Sequence, residues 1–170
     1  MKSLVSHVLR DHVLLGAAAS LSMLPYYGWS GCLLFWIATV LIDLDHYARF
    51  LWKTGFRFWS PQNMFRFFQE VHDRRFRPEF IVVEYLHTVE AFAIFAWLAL
   101  TWKGFLIPIF AGFVFHELVD IVTLLRNGIP TRRCYSMIEY VWRIWQMRRR
   151  GLDPEVIYEE ARVASGLTIR

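Results

Sequence analysis

Apolar residues in this chain fall into four long runs, separated by two short turns and one long charged segment. The runs cover about Leu4 to Leu24, Trp29 to Asp45, Phe80 to Trp102 and Phe105 to Leu125. A helix needs about 20 residues to cross a hydrocarbon core of about 30 Å, and the last three runs meet that length approximately. The first meets it only if His7, Arg10, Asp11 and His12 belong to the helix, because Val13 to Leu24 is too short alone. A signal peptide, with Lys2 and Arg10 ahead of the apolar part and Ala17-Ala18-Ala19 near a cleavage site, is the competing reading of that run. The pattern predicts an all-α integral membrane four-helix bundle over residues 1–130, followed by a helical tail over 131–170.

The polar segments carry their own periodicity. Ser60-Pro61 reads as an N-cap with proline in the first turn, opening a helix to about His72. Its Phe65, Arg66, Phe67 and Phe68 suit a helix lying among lipid headgroups. Tyr135 to Arg150 sets Ile138, Val141, Trp142 and Trp145 on one stripe and ends in Arg148-Arg149-Arg150, a second interfacial pattern. Asp153 to Ser165 reads as a short amphipathic helix.

Charge sets the orientation. The turn at Pro25 to Gly31 has no Lys or Arg, and the turn at Thr101 to Gly104 has only Lys103. Seven basic residues lie between Tyr47 and Pro78, and nine follow Leu125. Positive charge stays on the cytoplasmic side, so both termini and the middle segment are expected there, in a multi-pass membrane protein. The formal net charge of +4 does not point to nucleic acid, because the basic residues flank apolar runs and form no single face. The 170 residues are 56% hydrophobic, too apolar for an ordinary soluble domain. Two cysteines, Cys32 and Cys134, are expected at opposite ends of the molecule, which leaves no thiolate zinc site and no disulfide framework.

Ionisable side chains inside spans cost about 2.5–3.5 kcal/mol each on insertion scales, so each needs a partner or a task. His12 lies near the cytoplasmic end of the first run, and Asp43, Asp45 and His46 close the second. His87 and Glu90 stand two to three turns into the third, and His116 and Asp120 at similar depth in the fourth. The four runs thus bring imidazoles and carboxylates to one level. His116 and Asp120 are four residues apart, and His87 and Glu90 three, so each pair would share a helix face, as in bundle metal sites. Asp43 and Asp45 would diverge on a regular helix and could converge only where it loosens. Mixed imidazole and carboxylate donors suit zinc first, with manganese or iron as alternatives, as one ion or two.

The order Asp11-His12-Val13-Leu14-Leu15-Gly16-Ala17, Asp43-Leu44-Asp45-His46, His72-Asp73-Arg74, His87-Thr88, then His116 to Asp120 with Thr123, Gly128 and Pro130, resembles the bacterial family of membrane-bound metal-dependent hydrolases regulated with the DNA-damage response. That resemblance covers about Asp11 to Pro130. It departs where Ile42 replaces a proline, and where Asp73 and a long separation from His87 break the family's His-Arg-Gly motif. It implies a divalent metal and hydrolysis, and leaves the substrate undefined.

A hydrolase built from these residues would use His12, Asp43, Asp45, His87, His116 and Asp120 as metal ligands. Glu90 or His46 would be the general base. Arg74 or Arg75, with His72 nearby, would bind a phosphate or a developing oxyanion. A site at the headgroup level among membrane lipids favours a lipid or lipid-linked phosphoester as substrate. The alternative is a non-enzymatic membrane protein or transporter using the same cluster for metal or protons. The almost wholly apolar stretches Phe92 to Leu100 and Ile107 to Phe113 disfavour a polar path across the membrane.

Overall fold

The computed structural model describes residues 4–128 and 130–167, with side chains for 12–128 and 131–167; His7, Arg10 and Asp11 fall outside the described side chains. The chain is mostly helical. In order it forms α1 (Leu4–Ser20), a 3-10 turn at Leu21–Met23, α2 (Leu24–Leu41), α3 (Leu44–Lys53), α4 (Pro61–Asp73) and β1 (Val82–Val83). A 3-10 turn at Tyr85–His87 then leads into α5 (Val89–Trp102) and α6 (Leu106–Arg126). After Pro130–Arg132 come β2 (Arg133–Cys134), α7 (Met137–Arg149) and α8 (Glu155–Ala164).

Two helical stretches are long and apolar enough to cross a membrane, His12–Lys53 and Leu106–Arg126. The first is no single rod. Trp36 Nε1 donates to the Val13 carbonyl at 3.1 Å, so α1 folds back along α2. The backbone breaks at Gly28, whose φ of 61° lies in the left-handed region open to glycine. The α1–α2 contact is close at Gly16, where a methyl group would meet the Thr39 hydroxyl at 2.4 Å. At Gly112 on α6, a methyl would lie 2.5 Å from the Phe35 carbonyl oxygen of α2. Small residues thus bring these helix backbones together, as they do where lipid gives no hydrophobic drive between helices. Outward, α1, α2, α5 and α6 expose Leu14, Leu33, Trp97, Leu100 and Leu118.

The run expected to form a third span from Phe80 does not do so from its start. Residues 80–88 are used for β1, the 3-10 turn and the cap Thr88, whose hydroxyl accepts from Ala91 N. Only 14 helical residues remain, about 21 Å of rise against a core of about 30 Å. α6, at 21 residues, rises about 31 Å.

The polar segments build a core of their own. α3, α4 and α8 meet around Phe50, Phe67, Ile157 and Ala161, each at most 1% exposed. Burying one phenylalanine this fully contributes about 1.5–3 kcal/mol. α4 was expected to lie with its aromatic face among headgroups; instead Phe67 turns into this core against Tyr158, because α8 returns to cover it. α7 leaves Ile138, Val141, Trp142 and Trp145 exposed. The segment 131–167 is joined to the rest: β2 pairs in parallel with β1, Val82 beside Arg133 and Val83 beside Cys134, and Val89 N donates to the Tyr135 carbonyl at 2.8 Å.

Candidate metal centre

The helix ends position the cluster. α2 stops at Leu41 and α3 starts at Leu44, so Asp43 sits in the intervening turn as the residue that opens α3. That break separates the directions of Asp43 and Asp45. Asp43 faces inward, where its Oδ1 lies 3.4 Å from both His46 Nε2 and His116 Nε2 and 3.8 Å from His87 Nε2. Asp45, in the first turn of α3, stands behind His87. Its Oδ2 accepts from the Leu86 backbone N–H at 3.0 Å and lies 3.3 Å from His87 Nδ1.

The histidines are fixed from behind. His116 Nδ1 lies 2.7 Å from the Thr39 carbonyl, which can only accept, so that nitrogen carries a proton and Nε2 of the neutral ring presents its lone pair inward. His87 repeats the arrangement with Asp45 in place of the carbonyl. A histidine whose outer nitrogen is held by a carboxylate or carbonyl while the inner one is free is how proteins orient imidazole toward a metal. His12, from α1, places Nε2 3.2 Å from Asp120 Oδ1 and Nδ1 3.8 Å from Asp43 Oδ2. Its ring centroid is 4.1 Å from that of His116.

None of the inner nitrogens completes a hydrogen bond. His12 Nδ1 and Nε2, His87 Nε2 and His116 Nε2 are all buried without a partner of adequate geometry. Buried polar atoms are rarely left so, and several orphans aimed at one another and at carboxylates describe a cation's surroundings. Three sets place one donor atom per residue within 4.8 Å of each other: His12, His116 and Asp120; Asp43, His87 and His116; Glu84, His87 and Asp120. Each could hold a metal ion. His87, His116 and Asp120 are each shared by two sets.

Glu90 is not part of this arrangement. The expected shared face with His87 required one helix through both residues, but α5 begins only at Val89. Glu90 instead accepts from the Ser136 hydroxyl at 2.5 Å and from Met137 N at 3.3 Å, tying α5 to the start of α7. Glu84 occupies the position that sequence reasoning gave to Glu90. Its Oε1 is 3.4 Å from His46 Nε2. An isolated carboxylate in the apolar run after Phe80 was the signal that could have found it.

Arg133 was also missed. It is buried, and reaches Glu84 at 3.0 Å, Glu117 at 2.8 Å and Asp120 at 2.9 Å. Burial disfavours the charge on Glu84, but Arg133, His46 and His87 outweigh it and hold the carboxyl below its usual range. Burial likewise works against the Arg133 charge, and the surrounding carboxylates outweigh it. Burial pushes the neighbouring Cys134 thiol up to about 11, so it stays protonated and offers no thiolate.

Arg74 and Arg75 do not reach the cluster. Arg74 pairs with Glu70 and Glu160 on the surface, and the Arg75 guanidinium lies 4.5 Å from the Phe76 ring centroid. The arginines beside the centre are Arg49, Arg132 and Arg133, which line a cavity of about 290 Å³ together with His46, His72 and Asp120. Comparisons with family models, with curated proteins and with solved structures gave no match.

Proposed function

We propose that this chain is a membrane-embedded, metal-dependent hydrolase working at the cytoplasmic headgroup level of a bacterial inner membrane. The observation that carries the proposal is the pair His87 and His116, each anchored through Nδ1 with an unpartnered Nε2 aimed at Asp43 and Asp120. Two hairpins, α1–α2 and α5–α6, enter the bilayer from the cytoplasmic side, with both termini on that side and α5 covering part of the thickness.

His12, Asp43, His87, His116 and Asp120 hold one divalent ion or two, zinc first among the candidates, with Glu84 within reach of the same centre. Such an ion supplies Lewis acidity, polarising a scissile bond and acidifying water. Asp45 and the Thr39 carbonyl orient the two central imidazoles. His46, half-buried at the rim between Asp43 and Glu84, is placed to take a proton from attacking water. Arg133 offsets the surplus of carboxylates so that the centre tolerates burial. The resemblance to the membrane-bound metal-dependent hydrolases agrees with this assignment, as does the cluster's position at the basic, cytoplasmic end of the helices. Phosphoesters of membrane lipids are the proposed substrates.

The test is elemental analysis of the detergent-purified protein after zinc supplementation, beside hydrolysis of a chromogenic phosphodiester. Wild type should retain at least one equivalent of metal, and His116→Ala should lose both metal and activity. A metal-free wild type ends the proposal.

A further inference from the structure

The cavity beside the metal centre has two kinds of wall. One is polar and belongs to the cluster: Asp43, His46 and Asp120. The other is apolar, built from Met64, Phe65, Phe68 and Val71 of α4 with Phe80 and Leu124. A site meant only for water and a small polar substrate has no use for the second wall. The volume, about 290 Å³, is roughly twice the ~150 Å³ apolar cavity that takes up benzene. That is room for one short hydrocarbon chain, not for two.

Arg49 supplies the second observation. It is 7% exposed and lines the same cavity, and its Nη2 is buried with no hydrogen-bond partner. Its guanidinium lies 5.6 Å from the Tyr85 ring centroid, whereas the other cavity arginines are engaged by oxygen acceptors. Arg133 serves three carboxylates, and Arg132 donates to the Arg77 carbonyl at 3.4 Å. A buried guanidinium nitrogen without a hydrogen-bond partner, on a side chain that lines the cavity beside an apolar wall, is complementary to an anionic oxygen on an amphiphile. The carboxylates Asp43, Glu84 and Asp120 also face this space, so an anionic head settles here against a bound cation as well as Arg49.

The geometry points to a single-chain alkyl phosphate as the ligand of this cavity, its head between the metal centre and Arg49 and its chain between α4 and Leu124. This deepens the hydrolase assignment and rests on it for the metal. It also assigns Arg49 as the residue that binds the head and the α4 wall as the chain site.

The experiment titrates the amphipol-solubilised full chain with octyl phosphate, butyl phosphate and inorganic phosphate, each with zinc and after chelation. Each methylene buried should tighten binding about fourfold, so octyl phosphate should bind roughly two orders of magnitude more tightly than butyl phosphate. Leu124→Trp, or Phe68→Trp should the first fail to fold, should erase that ratio while leaving metal content unchanged. Arg49→Gln should weaken all three phosphates by about tenfold or more and keep the ratio. Equal binding of octyl and butyl phosphate overturns the proposal, as does a ratio that survives both filling variants or phosphate binding indifferent to Arg49→Gln. A preserved chain-length ratio with no effect of zinc supports the cavity assignment and fails the metal reading instead.

Discussion

Two networks of charge in this molecule are built on opposite terms. On the surface, Arg74, Arg77, Glu70, Glu79 and Glu160 join into a chain of ion pairs in which each charge has a partner. In the interior, His12, His87 and His116 turn nitrogens toward Asp43 and Asp120 at 3.2–3.9 Å without closing one hydrogen bond. The surface network is complete and screened by water, so it contributes little. The interior one is incomplete and desolvated, an arrangement that is costly unless water or an ion completes it.

That contrast ranks the outcomes of mutation. Arg133→Met removes the single cation shared by Glu84, Glu117 and Asp120. It should destabilise the protein by about 3–5 kcal/mol, the usual cost of stranding one side of a buried ion pair, read as a fall in the thermal midpoint in detergent. A loss below about 1 kcal/mol would place Arg133 with the surface network. Asp45→Asn should leave the fold intact and weaken zinc binding about 10- to 100-fold, as loss of a carboxylate behind a histidine ligand does, measured by competition with a chelator. Unchanged affinity would remove the orienting role.

A smaller effect concerns pH. Burial, together with Arg75, lowers the pKa of His72, so the folded chain binds this proton less readily than the unfolded one. His72 therefore costs nothing above its ordinary value of about 6.5 and erodes stability as pH falls through it. His72→Asn should flatten that part of the stability profile between about pH 7 and 5, measured by chemical unfolding. Smallest of all, Arg74→Ala should cost about 0.5 kcal/mol or less. A larger loss would mean that the surface chain is coupled to the α4–α8 core beneath it.

The parts of the centre legible in the sequence are those that regular helices carry. His116 and Asp120 share a face of α6 through simple four-residue spacing, and the Asp43-Leu44-Asp45 triplet announced a loosened helix end. What stayed hidden depends on departures from regularity. The run from Phe80 to Trp102 is largely apolar, and nothing in its periodicity shows that its first third is spent on a two-residue strand and a 3-10 turn. That is why Glu90 seemed to stand beside His87 and Glu84 did not. Arg49 and Arg133 were lost among the basic residues that orient the helices, since a count of positive charge cannot tell a buried guanidinium from a solvated one. The covering of Phe67 by α8 is likewise a long-range event, 88 to 97 residues distant along the chain, with no local signature. The mostly helical character was readable; the inward turn of α4 was not.

The parallel pairing of Val82-Val83 with Arg133-Cys134 has a consequence for biogenesis. Translation runs from the amino terminus, so Glu84, Glu117 and Asp120 all leave the ribosome before Arg133, the cation that offsets them. Until residue 133 has emerged and the two short strands have met, these carboxylates lack the guanidinium that offsets them in the fold. The cluster is thus complete in charge only once β2 has paired with β1.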